Sequence, residues 1–199
     1  MNQFEAALRA LKRDLQRLRA PYAVVGGWAV ASHGIPRTTM DVDAVVAVAD
    51  DEAAEALVAK LRLAGYEVAY EIEQTERSRF AGVRLYPPEM SGRGLLVDIL
   101  FANCGIEREI VAAAEHQRVV GSLQMPVVAL GHLIAMKVLA EGERRQKDVF
   151  DLEGLIPVAS DVEIERARAA VRLMQERGFA GSKDLAANLE SFISRFRRP

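Results

Sequence analysis

The sequence predicts an α+β protein, with strands and helices mixed to about residue 127 and an all-helical stretch beyond. Two observations carry this. Between residues 22 and 127, short apolar or alternating runs are separated by glycine and proline turns and by helical segments. After Pro126 the apolar residues recur only at helical spacing. A chain of 199 residues, half of them hydrophobic and 27% charged, has ordinary globular composition and enough apolar material for a core. We divide it into an α/β core with an N-terminal helix, residues 1–127, and a helical C-terminal region, residues 128–199, that completes the core's cleft. No internal repeat or low-complexity tract interrupts it.

The first element is an amphipathic helix over residues 3–19, with Phe4, Leu8, Leu11, Leu15 and Leu18 on one face and a basic opposite face. Pro21 ends it, and Tyr22–Val25 begins a short buried strand. Gly26-Gly27 follows, then a short helix broken by Gly34-Ile35-Pro36, then a strand from Met40, with Met40, Val42 and the valines beyond facing the core. Residues 51–64 form a helix closed by Gly65. Tyr66, Val68, Tyr70 and Ile72 alternate with glutamates as a half-buried strand, and residues 80–86 form another. Residues 95–100 are apolar except for Asp98, which marks a central strand. A helix over 106–115 and a hairpin over 118–126, turning near Gly121-Ser122, complete this half. Helices then cover 128–141, a segment opened by Lys147, Asp148 and Asp151, and 161–177, which begins with a capping box at Ser160 and Glu163. Ser182 caps the last helix.

Three features carry chemistry. A glycine pair after a strand lets the backbone approach a ligand, and a helix beginning there aims free N–H groups at it; phosphate is the natural guest. Asp41 and Asp43 are two apart in a strand, so they share one face roughly 7 Å apart, and aspartate is depleted in strands. Paired carboxylates of this kind suit Mg²⁺, and equally suit a solvent-facing strand end. Asp98 on its apolar strand needs a cation, a hydrogen-bonding partner or the open end of the sheet, because an unpaired buried carboxylate costs on the order of several kcal/mol. A salt bridge to an arginine and a place as third metal carboxylate both satisfy it.

Gly26-Gly27, a spacer, Asp41-Val42-Asp43 and then Asp98 resemble the nucleotidyltransferase superfamily. Within it, GGWAVASHGIPRTTMDVD and MKVLAEGERRQKDVFDLEGL are similar to the abortive-infection group, which includes toxins of toxin–antitoxin pairs and is related to small antibiotic nucleotidyltransferases. The resemblance covers about residues 22–156. It implies a nucleotidyltransferase-like mixed β-sheet with flanking helices, and a Mg²⁺-dependent enzyme that transfers a nucleoside monophosphate from an NTP to an acceptor hydroxyl. It implies that Asp41, Asp43 and Asp98 hold two Mg²⁺ ions about 4 Å apart, with Asp98 helping to deprotonate the acceptor. Gly26 and Gly27 would meet the β/γ-phosphates, Arg37 and Thr39 phosphate or ribose, and Lys137 the triphosphate. Lys147, Asp148 and Asp151 match a later motif, read as charge balance. Gly27 replaces the serine found in many members, so one phosphate contact falls to the backbone. Trp28 is read as core, and His33 and His132 as structural, since no zinc spacing accompanies them.

The net charge of −2 argues against nucleic-acid binding by bulk electrostatics but leaves room for a local basic patch, for which Arg77, Arg79, Arg84 and Arg93 are candidates. Arg144 and Arg145 are candidates for substrate phosphate or plain solvent. An acidic pocket built from Glu67, Glu71, Glu73 and Glu76 would instead suit a cationic, aminoglycoside-type antibiotic. The acceptor is therefore open between an RNA or tRNA end, a protein and a small molecule, with an antitoxin as a candidate partner and an inactive nucleotide- or partner-binding module as the alternative. A single cysteine, Cys104, and an N-terminus with no uninterrupted apolar stretch lead us to expect a soluble cytoplasmic protein without a membrane partner.

Overall fold

The structure is a computed structural model, described over residues 3–74, 79–88, 95–141 and 146–197. In chain order the elements are α1 (Gln3–Arg17), β1 (Tyr22–Val25), α2 (Gly26–Ser32), β2 (Asp41–Val46), α3 (Asp51–Leu63), β3 (Glu67–Gln74), β4 (Arg79–Tyr86), β5 (Leu96–Leu100), α4 (Glu107–Ala112), β6 (Glu115–Val120), β7 (Leu123–Val127), α5 (Leu130–Ala140), α6 (Gln146–Val158), α7 (Asp161–Glu176) and α8 (Leu185–Phe196).

Among the described residues the strands form one mixed sheet in the order β3-β4-β5-β2-β1-β7-β6. The central strand, β2, pairs antiparallel with β1 and parallel with β5, which places Asp43 opposite both Val25 and Asp98. Strand β4 runs antiparallel to β5, with Arg84 opposite Asp98. The interior strands are apolar where they must be: Val42, Ala44, Val45, Val97 and Ile99 are fully buried. Leu8, Leu11 and Leu15 of α1 join the same core. Helix α5 is apolar on nearly every side because it packs against α2, α6, α7 and α8.

Local signals account for most helix ends. Asp50 caps α3 by accepting the Ala53 N–H at 2.9 Å, with acids in its first turn and bases in its last. Ser160 caps α7 by accepting the Glu163 N–H at 3.3 Å. The expected reciprocal half of that capping box is spent elsewhere: the Glu163 carboxylate accepts the Gly131 N–H at 2.6 Å and so caps α5. The cap of α8 is Asp184, which accepts the Ala187 N–H at 3.0 Å, and not Ser182 as expected. The expected helix over 106–115 stops at Ala112, because residue 115 already belongs to β6. Met40 was expected in the core and is 59% exposed, since pairing of β2 begins only at Asp41. Tyr70 is 50% exposed: the β3–β4 register shifts between Val68 and Tyr70, and Tyr70 faces the cleft.

Candidate active site

A cleft of about 930 Å³ opens where the ends of β1, β2 and β5 meet α5 and α6. Asp41, Asp43, Asp98, Lys137, Gly26, Gly27, Arg37, Thr39, Lys147 and Asp148, dispersed over more than a hundred residues of sequence, all line it. The fold brings them together because β2 lies between β1 and β5, while α5 and α6 close over the same end.

Gly26 follows β1 with φ +62°, and a Cβ there would lie 2.0 Å from Oδ2 of Asp43. The position accepts only glycine for two reasons, the left-handed backbone and the carboxylate in the side-chain space. A Cβ on Gly27 would lie 2.7 Å from Cβ of Thr39. The glycine pair thus makes room for two cleft side chains. The Thr39 hydroxyl donates to the carbonyl of Asp41 at 3.2 Å, which ties the loop to the start of β2.

Asp41 and Asp43 form no ion pair among the described residues. The carboxyl of Asp43 is pushed up to about 6, first by burial and then by the charges of Asp98 and Asp41, with Lys137 and Arg84 opposing. This surplus of negative charge, open to the cleft and made of hard oxygen donors, fits a divalent cation on Asp41 and Asp43. Asp98 is placed differently. It is buried in a two-pronged pair with Arg84, whose Nε donates to Oδ1 at 2.5 Å and whose Nη2 donates to Oδ2. Arginine, one of the partners open to Asp98, is thus in place, and among the described residues no three acidic, histidine or cysteine side chains converge as a metal-ligand set. The Arg84 guanidinium also lies over the Tyr70 ring, 5.2 Å from its centroid.

The helical wall carries a second charge cluster. Lys137 on α5 is 2.8 Å from Asp148 and 2.7 Å from Asp151 of α6, both buried, and Arg37 donates to Asp151 at 3.0 Å. Two cations and two anions balance, and they lock the loop before β2 to the α5–α6 pair. Lys147 lines the same cleft and is exposed. After β5, Glu107 accepts the backbone N–H groups of Asn103 (2.7 Å), Cys104 (2.6 Å) and Gly105 (3.1 Å), fixing the loop that brings Asn103 to the cleft.

Other residues fall outside the cleft. Trp28 packs against Phe4, with ring centroids 6.3 Å apart, and belongs to the core periphery. The ring Nε2 of His33 is 2.9 Å from the Val128 carbonyl, and His132 is buried beneath α7. Glu71 lies between the cleft-facing Tyr70 and Ile72 and points the other way; Glu67 does not line the cleft either, so no acidic wall forms from them. Glu76, Arg77, Arg93, Arg144 and Arg145, together with the side chains of Glu73 and Arg79, lie outside the described residues. The partnership of Arg84 with Asp98 and the cleft position of Tyr70 were not legible in the sequence, because they depend on the β4–β5 register and a bulge.

A mixed sheet whose central end gathers carboxylates beside a glycine turn, closed by a helical wall that carries Lys137 and Lys147, is the arrangement expected of a nucleotidyltransferase. The family model for the nucleotidyl transferase AbiEii toxin of type IV toxin–antitoxin systems matches residues 9–197, and the chain belongs to that family. Among solved structures it is similar to the antibiotic-resistance factor ANT(2'')-Ia in solution, at 16% identity over 98% of this chain and 92% of that one, with a TM-score of 0.51. The same factor in complex with adenylyl-2''-tobramycin gives 16% identity, 98% and 99% coverage and a TM-score of 0.52. An antigenic nucleotidyltransferase-like protein from Paracoccidioides brasiliensis gives 20% identity, 92% and 89% coverage and a TM-score of 0.51. At these identities the likeness is one of fold. No curated protein matches the sequence. No described helix is long and apolar enough to cross a membrane.

Proposed function

We propose that the cleft binds a nucleoside triphosphate with Mg²⁺ and transfers its nucleoside monophosphate to an acceptor hydroxyl, releasing pyrophosphate. The observation that carries this is the seating of Asp43 beside Asp41, under Gly26, in a cleft that also holds Lys137, Lys147 and Arg37. Asp41 and Asp43 would hold the cation, which when bound polarises the phosphoryl oxygens and assists the attacking and leaving groups. The side-chain-free space over Gly26 and Gly27 admits the phosphates close to backbone. Lys147, exposed on the cleft wall, and Lys137, poised on its two aspartates, offset triphosphate charge.

The wall made by Tyr70 and Arg84, an aromatic ring beside a cation, supports an RNA end as acceptor. We further propose that the chain acts in the cytoplasm as the toxin of a toxin–antitoxin pair with an antitoxin as partner; the family description supports the toxin role.

The test is incubation with each α-labelled NTP, Mg²⁺ and a mixture of total RNA, cell protein and aminoglycosides. Label is expected in RNA, and Asp41→Ala is expected to abolish it. Unchanged turnover in Asp41→Ala would remove the catalytic assignment. Label in protein or antibiotic would overturn the RNA acceptor, and failure of every NTP to bind with Mg²⁺ would discard the cleft reading altogether.

A further inference from the structure

Arg84 and Asp98 are more than a buried ion pair. They face each other directly across β4 and β5, and both line the cleft. A guanidinium carries five N–H donors. Two are spent on Asp98, one from Nε and one from Nη2. The other three, both on Nη1 and one on Nη2, meet no acceptor among the described residues, and the side chain remains 24% exposed. The ring of Tyr70 lies against the guanidinium, so the group is held on Asp98 and steadied by an aromatic side chain. The result is a rigid cation with donors left over, in the wall of the site where a phosphate would react.

The charges of the cleft point the same way. Arg84 neutralises Asp98, and Lys137 with Arg37 neutralises Asp148 and Asp151. Asp41, Asp43 and the exposed Lys147 are left, and the two acids, side by side on β2, match one divalent cation. A second ion on Asp98 would have to share both of its oxygens with a guanidinium whose charge repels it.

We propose that Arg84 takes the place of a second metal ion. The site holds one divalent cation, on Asp41 and Asp43, and Arg84 presents its free N–H groups to the charge that develops on the transferred phosphate. Asp98 is then a positioning residue that acts through Arg84 and not a metal ligand. This rests on the nucleotidyltransferase reading and specifies how that site is charged.

The experiment counts Mn²⁺ bound per chain by electron paramagnetic resonance, on the full chain with a non-hydrolysable NTP analogue. The wild type is expected to bind one ion. Asp98→Asn, and the double variant Arg84→Met with Asp98→Asn, are expected to bind one ion as well. The double variant removes both charges together and so leaves no orphaned buried charge to unfold the chain. Its kcat is expected to fall on the order of 100-fold, the loss typical of one oriented donor to a transition-state oxyanion. Two ions in the wild type, or loss of the ion in either variant lacking the Asp98 carboxylate, would overturn the proposal while leaving the nucleotidyltransferase reading intact. Asp41→Asn is expected to bind none; retention of the ion there would remove the cation from β2 and overturn the proposal together with the reading beneath it.

Discussion

At the scale of single residues, Asp43 shows what the site costs when no cation is bound. Burial and the neighbouring carboxylates raise its pKa from 3.8 to about 6. The folded state therefore holds a proton that the unfolded state releases, and Asp43 favours folding most at low pH. That contribution is lost as pH rises from about 4 through 6, so at neutral pH the ionised form is a net burden. A shift of this size corresponds to roughly 2–3 kcal/mol. Asp43→Asn is expected to stabilise the metal-free protein at pH 7 by on the order of 2 kcal/mol in urea unfolding, and to flatten the pH dependence of stability between 4 and 6. Mg²⁺ is expected to raise the wild-type melting temperature and leave that of Asp43→Asn unmoved. The D-x-D spacing made these two acids visible as a pair in the sequence. Spacing alone left open whether they faced solvent; the seat of Asp43 under Gly26 answers it.

At the scale of elements, the α5–α6 pair closes the cleft because one lysine is shared by two acids. Lys137 contacts both Asp148 and Asp151, whereas Arg37 reaches Asp151 alone. Lys137→Met leaves the buried Asp148 without its cation. The expected loss is about 3–5 kcal/mol, the range for removing one partner of a buried pair, measured as a lower urea midpoint. Lys137→Met combined with Asp148→Asn is expected to recover much of it. Helix positions and periods were readable because they repeat locally: α3, α5 and α7 lie within a few residues of where apolar spacing put them. Caps and strand partners were less so. The side chain of Glu163 serves α5, thirty-two residues back in the chain, and nothing local to Ser160 could announce that.

At the scale of the molecule, the two halves share a core. The buried cluster runs from Leu8 through the strands to Leu133, Ile134 and Val138 of α5 and on to Leu185 and Leu189 of α8. We therefore expect thermal unfolding of the whole chain to be a single transition, and a chain ending at residue 127 to lack near-ultraviolet circular dichroism and a cooperative melt, because it loses the helices that cover its sheet. The split between mixed and helical halves was legible from periodicity. The strand order β3-β4-β5-β2-β1-β7-β6 was not, since it depends on crossovers that periodicity does not encode.

The same limit gives the Arg84–Asp98 pair a consequence for folding. Apart from that pair, the facing residues of β4 and β5 are aliphatic or glycine (Gly82, Val83 and Leu85 against Leu100, Ile99 and Val97), which would tolerate sliding. A slip of one residue turns Arg84 to the opposite face of the sheet and leaves Asp98 among apolar neighbours with no counter-charge. The pair thus pins strand register, discriminating against misaligned hairpins during assembly as well as shaping the finished cleft.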